Sequence, residues 1–198
     1  IIASPTTDEF KKKIIGEKIN DIVTRGKFIV VGLDHYSLLI HLRMEGKFFF
    51  RKKGDSIAKH EHVEFILDDD ISFRYHDVRK FGKMYLIPKE MVDKVKPLNE
   101  LGYEFDDSKL TKEYLYEKIH NKKLPIKTVL LDQSIITGIG NIYDDEILFR
   151  SKISPYRKAN EVLINGLLKL EYRGYDSAGM ATIEKNKLII NKEKGRVA

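Results

Sequence analysis

The segment Gly138-Ile139-Gly140-Asn141 has the residue types of an anion-binding turn. Glycines let backbone N–H groups approach an anion closely, and the N-terminus of a following helix adds oriented N–H groups and partial positive charge. Lys127, on the preceding predicted helix, can add a cation. The segment therefore predicts a phosphate-binding turn that includes Gly140 and Asn141. The alternative is a helix-to-helix turn that needs glycine only for its shape.

Apolar and cationic side chains also occur together in two other short segments, around Met44 and between Arg79 and Phe81. At the tips of loops, such side chains can enter a base stack and fill the place of an extruded nucleotide. The alternative is that Met44 and Phe81 are core residues at the ends of strands.

Two histidines, His60 and His62, are spaced as metal ligands can be. The sequence offers no third ligand near them, so it favours a surface or phosphate-contacting role over a metal site.

The predicted secondary structure that positions these residues changes along the chain, from strands in the first half to helices in the second. Short apolar runs between turn residues predict antiparallel strands over 28–33, 37–42, 47–50, 63–67, 71–75 and 83–87. Later segments predict helices over 111–121, 126–132, 141–150 and 161–170, then two strands near 179–183 and 187–190. Thr111 is a candidate N-cap, and Pro125 marks a helix start. The first ten residues predict a strand leading into a helix. We therefore expect an α+β chain with a hinge near 96–102.

Composition narrows the possible classes of protein. The chain has 198 residues, 36 Lys and Arg against 30 Asp and Glu, a net charge of +6 and no cysteine. Disulfides and cysteine-ligated zinc are excluded within these residues. The basic excess favours a polyanionic partner. No apolar run approaches the ~18 residues of a membrane span, so we expect a cytoplasmic protein without a membrane partner.

Six segments in order resemble the formamidopyrimidine-DNA glycosylase family. They are Arg25-Gly26-Lys27-Phe28, His41-Leu42-Arg43-Met44, Lys59-His60-Glu61-His62-Val63, Asp77-Val78-Arg79-Lys80-Phe81-Gly82, the stretch from Lys127 to Asp132, and Gly138 to Tyr143 with Glu146. The resemblance covers residues 1–159. It implies an antiparallel β-sandwich domain over 1–100 and a helix-two-turn-helix domain over 101–159, with damaged duplex DNA as the partner.

The resemblance also implies a role for each matching residue. Met44, Arg79 and Phe81 match a wedge that fills the gap left by a flipped purine. Lys27 matches a lysine that reaches the target nucleotide, and is the candidate catalytic residue. The residues that match DNA-backbone contacts are His60, Lys127, Gly140 and Asn141. A monomeric bacterial protein of base excision repair, associated with the nucleoid, is implied.

The sequence departs from the family pattern in two respects. The family's nucleophile is an N-terminal proline amine followed by a glutamate, and neither is among these residues. Lys27 is the substitute amine nearest the site, and on a solvated strand end we expect its pKa to stay near ~10.4. The family's structural zinc needs four cysteines, so no cofactor is expected here. The resemblance thus predicts a chain that binds DNA without catalysing the reaction.

Residues 160–198 resemble a different family. The stretch from Glu161 to Met180 is similar to part of the glutaminase domain of glutamine–fructose-6-phosphate aminotransferase. We expect a short α/β tail joined near Ala159 by a fusion. Three functions remain open: a DNA glycosylase and lyase, a non-catalytic module that binds damaged DNA, and an amidotransferase supported by the tail alone.

Overall fold

The structure, a computed structural model, describes residues 1–68 and 70–162, and the backbone of 171–173, 177–184 and 187–194. The chain divides into two compact units, Ile1–Asn99 and Glu100–Ala198. This division falls inside the stretch 96–102 for which the sequence predicts a hinge. Among the described residues, no helix is both long and apolar enough to cross a membrane.

The first unit contains eight strands and one α-helix, α1, which spans Thr7–Ile14. The strands are β1 Ile2–Ser4, β2 Asp21–Arg25, β3 Phe28–Gly32, β4 Tyr36–His41, β5 Lys47–Lys52, β6 Glu61–Ile66, β7 Ile71–His76 and β8 Lys83–Pro88. The six strands predicted from apolar runs are all present, with ends within two residues. Strand β2 was not predicted; it lies at a sheet edge and is mostly exposed.

The strands form two sheets, in the orders β1-β8-β4-β3-β2 and β5-β7-β6. Strand β1 runs parallel to β8, so the prediction of purely antiparallel sheets is wrong for this pair. The long stretch of chain between β1 and β8 permits this direction, which a tight hairpin would forbid. The other strand pairs in these two sheets are antiparallel.

Residues from both sheets form one hydrophobic core in the first unit. Leu38, Ile40 and Met84 come from the five-stranded sheet, and Tyr75 comes from the three-stranded sheet. Helix α1 adds Phe10 to the same cluster. Thr6 caps this helix, since its side chain accepts a hydrogen bond from the Glu9 N–H. The shared core fixes the loops that join one sheet to the other.

Among its described residues, the second unit contains three α-helices, α2 Lys112–Ile119, α3 Ile126–Leu130 and α4 Asn141–Arg150. Thr111 caps α2 through a hydrogen bond from the Tyr114 N–H, and Pro125 precedes α3, as the sequence predicts. The core of the unit includes Leu115, Ile119, Ile126, Leu130, Leu148 and Val162. Apolar positions three and four residues apart direct these side chains to one side of each helix.

In the part of the tail that the structure describes, three strands follow: β9 Glu171–Arg173, β10 Ser177–Glu184 and β11 Lys187–Lys194. They form an antiparallel sheet in the order β11-β10-β9. The predicted strands 179–183 and 187–190 lie within β10 and β11. The predicted helix 161–170 lies outside the described residues from position 163 onward.

Candidate nucleic-acid interface

The structure brings together the three residues predicted to form a wedge. Met44 lies in the turn after β4, and Arg79 and Phe81 lie in the 77–82 loop between β7 and β8. Arg79 Nη1 is 3.8 Å from Met44 Sδ, and Arg79 Cζ is 4.6 Å from the centroid of the Phe81 ring. Met44 is 79% exposed and Phe81 49% exposed. The interpretation of these two residues as core side chains is therefore wrong.

The 77–82 loop is shaped by a buried carboxylate. Asp77 accepts hydrogen bonds from the Arg79 N–H at 3.0 Å and from the Gly82 N–H at 2.9 Å. Burial acts to raise the pKa of Asp77, but these backbone hydrogen bonds and one from Tyr75 outweigh it and lower the pKa. Asp77 is thus an anion at neutral pH, and it holds the loop in one conformation.

Lys27 lies in the turn between β2 and β3, directly before β3 begins. The pKa of Lys27 is lowered, mainly by partial burial and to a smaller extent by the charge of Arg43. The expectation of an ordinary pKa is therefore wrong. Partial burial and a nearby cation both disfavour the charged form of the Lys27 amine.

His41 is a neighbour of this pair that the sequence analysis did not select. Its Nδ1 accepts a hydrogen bond of 3.0 Å from the Arg43 N–H. Burial, followed by the charges of Arg43 and Lys27, lowers the pKa of His41 to about 4. The ring is therefore neutral at physiological pH. The hairpin formed by β3 and β4 sets His41 against Phe28, so correct pairing of these strands would have placed it near Lys27.

His60 lies at the end of the loop between β5 and β6, with a positive φ of 71°. Its ring centroid is 6.4 Å from that of His62 and 5.8 Å from that of His76. Within the described part of the chain, no group of three or more His, Cys, Asp or Glu residues has the geometry of a metal site. The expectation that these histidines are not metal ligands remains a prediction.

The loop that carries His60 is tied to the sheet by Arg74, which is buried in β7. Arg74 donates to the carbonyls of Asp55 at 2.7 Å and Ser56 at 2.9 Å. It also forms an ion pair of 3.1 Å with Glu61. Because the guanidinium offers donors in a fixed plane, it can hold the loop and the strand together.

In the second unit, Gly140 immediately precedes α4, and Asn141 is its first residue. Gly140 has no side chain that could cap the N–H groups of the first helical turn, and Asn141 is exposed. Gly138 has a φ of +95°, which a residue with a Cβ rarely adopts. The side chain of Gln133 accepts from the Gly138 N–H and donates to the Ile139 carbonyl. Gln133, which the sequence analysis did not select, thus shapes the turn.

Lys127 on α3 forms an ion pair with Asp145 on α4, and the distance between Nζ and Oδ1 is 2.5 Å. The hydrogen bond to Asp145 is the main reason why the pKa of Lys127 is raised. Lys127 is therefore a cation on the helix that packs beside α4.

Asp144, in the first turn of α4, is completely buried. Neither of its carboxylate oxygens has a hydrogen-bond partner among the described residues. Burial raises its pKa to about 6, and this effect exceeds that of Lys127, which acts in the opposite direction. The sequence shows an acidic residue in a first helical turn, where it is usually favourable, and gives no sign of this burial.

Comparison with known proteins adds the following matches. The family description "Formamidopyrimidine-DNA glycosylase N-terminal domain" matches residues 1–84, and "Formamidopyrimidine-DNA glycosylase H2TH domain" matches residues 101–170. The formamidopyrimidine-DNA glycosylase of Oceanobacillus iheyensis is 43% identical over 164 residues, which are 83% of this chain and 59% of that protein. The Bacillus subtilis protein of the same name is 44% identical over 156 residues, 78% of this chain and 56% of that protein.

Solved structures show the same likeness. The Lactococcus lactis Fpg in complex with DNA containing an abasic site has a TM-score of 0.74 and 32% identity, covering 81% of this chain and 59% of that one. The same enzyme in complex with FAPY-dG-containing DNA also has a TM-score of 0.74, covering 81% and 60%. The chain spans about three fifths of the length of the curated relatives.

Proposed function

The chain belongs to the formamidopyrimidine-DNA glycosylase family, whose N-terminal and H2TH domains it carries, and we propose that it recognises damaged duplex DNA in base excision repair. The observation that carries this proposal is the cluster of Met44, Arg79 and Phe81. Met44 lies 35 positions before Arg79 in the sequence, yet the three side chains meet at two exposed loops.

The exposure of Met44 and Phe81 supports insertion into DNA. Apolar side chains at loop tips gain from transfer into a base stack, where they pack against the bases that a departing nucleotide leaves unstacked. Arg79 lies over the Phe81 ring and beside Met44, so it brings a cation and hydrogen-bond donors to the same place. The related Lactococcus lactis Fpg forms a complex with DNA that contains an abasic site, which supports damaged DNA as the partner of this chain.

The turn before α4 supports contact with the DNA backbone. The first-turn N–H groups of the helix and the Asn141 amide can donate to phosphate oxygens, and Lys127 adds a positive charge. We propose the same contact for His60 in the first unit. Such contacts orient a protein on DNA without reading its sequence.

Two alanine substitutions test this division of roles. Phe81→Ala should weaken binding to a duplex with an abasic site about tenfold, since an aromatic ring stacked on bases is worth about 1–3 kcal/mol, and should affect undamaged DNA less. Asn141→Ala should weaken binding to both duplexes alike. Fluorescence anisotropy with labelled duplexes at fixed salt measures both affinities.

Matched controls for these variants exist in the same chain. Phe50 is an exposed phenylalanine on β5, outside both loops of the cluster, and Asn121 is an exposed asparagine outside the turn before α4. Phe50→Ala and Asn121→Ala should leave both affinities unchanged. If Phe81→Ala and Asn141→Ala gave the same profile on the two duplexes, the assignment of distinct roles would be wrong.

The resemblance implies excision of an oxidised purine followed by strand cleavage as the family reaction. We propose that these 198 residues place Lys27 near the target nucleotide but do not catalyse that reaction. A primary amine must be neutral to attack C1′ of the sugar, and the lowered pKa of Lys27 raises its neutral fraction. We still expect no covalent adduct when a polypeptide of these 198 residues is treated with borohydride on abasic DNA. Mass spectrometry of parent and Lys27→Ala tests this; an adduct that Lys27→Ala abolishes would identify Lys27 as the reacting amine.

The proposed fusion concerns the end of the chain. We propose that the segment after the H2TH match, residues 171–198, comes from a glutaminase-like sequence and has no part in DNA binding. Val162 packs in the core of the second unit, so the cut is better placed after residue 170 than after Ala159. Removal of 171–198 should leave DNA affinity unchanged, and a loss of affinity with an unchanged circular dichroism spectrum would contradict the proposal.

We also propose that DNA binding by these residues needs no metal. The cysteines that would ligate a structural zinc are not among them. Treatment with EDTA should therefore leave the anisotropy titration unchanged.

A further inference from the structure

Tyr75 lies at the point where the two loops of the wedge cluster meet the core. It is fully buried in β7, and its hydroxyl donates a hydrogen bond of 3.0 Å to Asp77 Oδ2. The same carboxylate oxygen accepts from the Gly82 N–H, and the other accepts from the Arg79 N–H. Through Asp77, the Tyr75 hydroxyl is therefore connected to both ends of the 77–82 loop.

The Tyr75 hydroxyl also contacts the turn that carries Met44. A Cβ added to Gly46 would lie 2.4 Å from Tyr75 Oη, and one added to Gly82 would lie 1.7 Å from it. Both glycines, one in each loop, therefore pack closely against the same Tyr75 oxygen. The Gly46 N–H donates to the Leu42 carbonyl at 3.1 Å, which closes the turn around Met44.

We propose that Tyr75 and Asp77 are positioning residues for damage recognition, which couple the two loops and hold Met44, Arg79 and Phe81 in the arrangement that enters DNA. The inference rests on the proposed function. A side chain that must enter a base stack loses less conformational entropy on binding if its loop is already ordered. The buried pair supplies that order, because a network shielded from water has strong hydrogen bonds and few alternative partners.

The opposite possibility is that the pair contributes only to the stability of the first unit. Both roles predict a lower melting temperature after mutation, so stability alone does not separate them. The preference for abasic over undamaged duplex separates the two roles. A loss of stability reduces the folded fraction and so weakens binding to every duplex equally. Disordered loops weaken binding most to the abasic duplex, where the wedge fills the gap left by the missing base.

Tyr75→Phe is the first test, since it removes the hydroxyl and leaves the ring in the core. The preference for abasic over undamaged duplex should fall about tenfold, as expected when a hydrogen bond to a buried anion is lost. Tyr114→Phe is the matched control. Its hydroxyl donates to the Ile135 carbonyl in the second unit, so its loss should leave the preference unchanged.

Hydrogen exchange followed by mass spectrometry gives a readout that needs no DNA. In Tyr75→Phe, peptides that contain 42–46 and 77–82 should both exchange faster, whereas those that contain 112–119 should not. Faster exchange in only one loop, or an unchanged DNA preference, would overturn the coupling. If the parent chain itself showed no preference for abasic DNA, the proposed function would fail, and the exchange result would still decide whether the loops are coupled.

Asp77→Asn is a second variant that tests the other member of the buried pair, and it keeps the test available if Tyr75→Phe fails to fold. Arg79 and Gly82 donate to different oxygens of Asp77. The amide replaces one of these oxygens by an NH2 donor, so one of the two N–H groups loses its acceptor. Faster exchange in both loops and reduced preference would support the proposal. Parent-like behaviour of either folded variant would refute it.

Discussion

Replacement of Asp144 by valine should stabilise the second unit by an amount that depends on pH. The carboxyl group is fully buried and has no hydrogen-bond partner among the described residues. Burial raises its pKa to about 6 in the folded protein, against an ordinary value of 3.8. The folded state therefore holds this proton more tightly than the unfolded chain does.

The magnitude follows from this difference in pKa. Stability falls as pH rises from about 3.8 to about 6, because the unfolded chain releases the proton first, and it stays lower at higher pH. At 1.36 kcal/mol per pH unit, the cost of burying the carboxyl group is about 3 kcal/mol at pH 8 and about 1 kcal/mol at pH 4.5. Asp144→Val removes this cost.

Urea unfolding followed by circular dichroism at 222 nm measures the effect, since three of the four described α-helices lie in the second unit. The gain of Asp144→Val over the parent should be about 2 kcal/mol larger at pH 8 than at pH 4.5. Glu117→Val, at an exposed position of α2, is the control and should show no such difference. An equal gain at both pH values would refute the reasoning, because the carboxyl group would then titrate alike in both states.

Three further substitutions test other features of the two units. Asp145→Asn should tighten binding to all duplexes severalfold, because it releases Lys127 from its ion pair and removes a negative charge near the proposed DNA interface. Anisotropy titrations measure this effect, and weaker binding would contradict the role proposed for Lys127. Gly82→Ala should destabilise the first unit by about 1–3 kcal/mol in urea unfolding, because the added Cβ would overlap the Tyr75 hydroxyl. Leu130→Ala should destabilise the second unit by about 2–5 kcal/mol, and a parent-like midpoint would show that the side chain is not in the core.

Much of the fold is predictable from local sequence. Apolar runs between turn residues locate six strands within two residues of their ends, and Thr111 and Pro125 mark the starts of two helices. The start of α4 after Gly140 is also predicted. These features depend on near neighbours along the chain, such as a capping side chain or a fixed φ, so the sequence contains them directly.

The sequence also determined the family, because six segments in fixed order match it, and it determined which residues are candidates for the DNA interface. Tertiary structure decided how those candidates are arranged. Met44 follows β4, and Arg79 and Phe81 lie in the loop that leads from β7, in the three-stranded sheet, to β8, in the five-stranded sheet. The three side chains meet because β4 and β8 are paired neighbours. The parallel pairing of β1 with β8 was likewise not visible from local pattern.

The chemical state of individual groups was decided by tertiary structure alone. The lowered pKa of Lys27 depends on burial and on Arg43, and the pKa of His41 depends on both of these cations. Asp144 looks like a favourable acidic residue at the start of a helix, yet the folded chain buries it without a hydrogen-bond partner among the described residues. Local conformation follows from neighbours in sequence, whereas burial and electrostatic fields depend on groups that only the folded chain brings close.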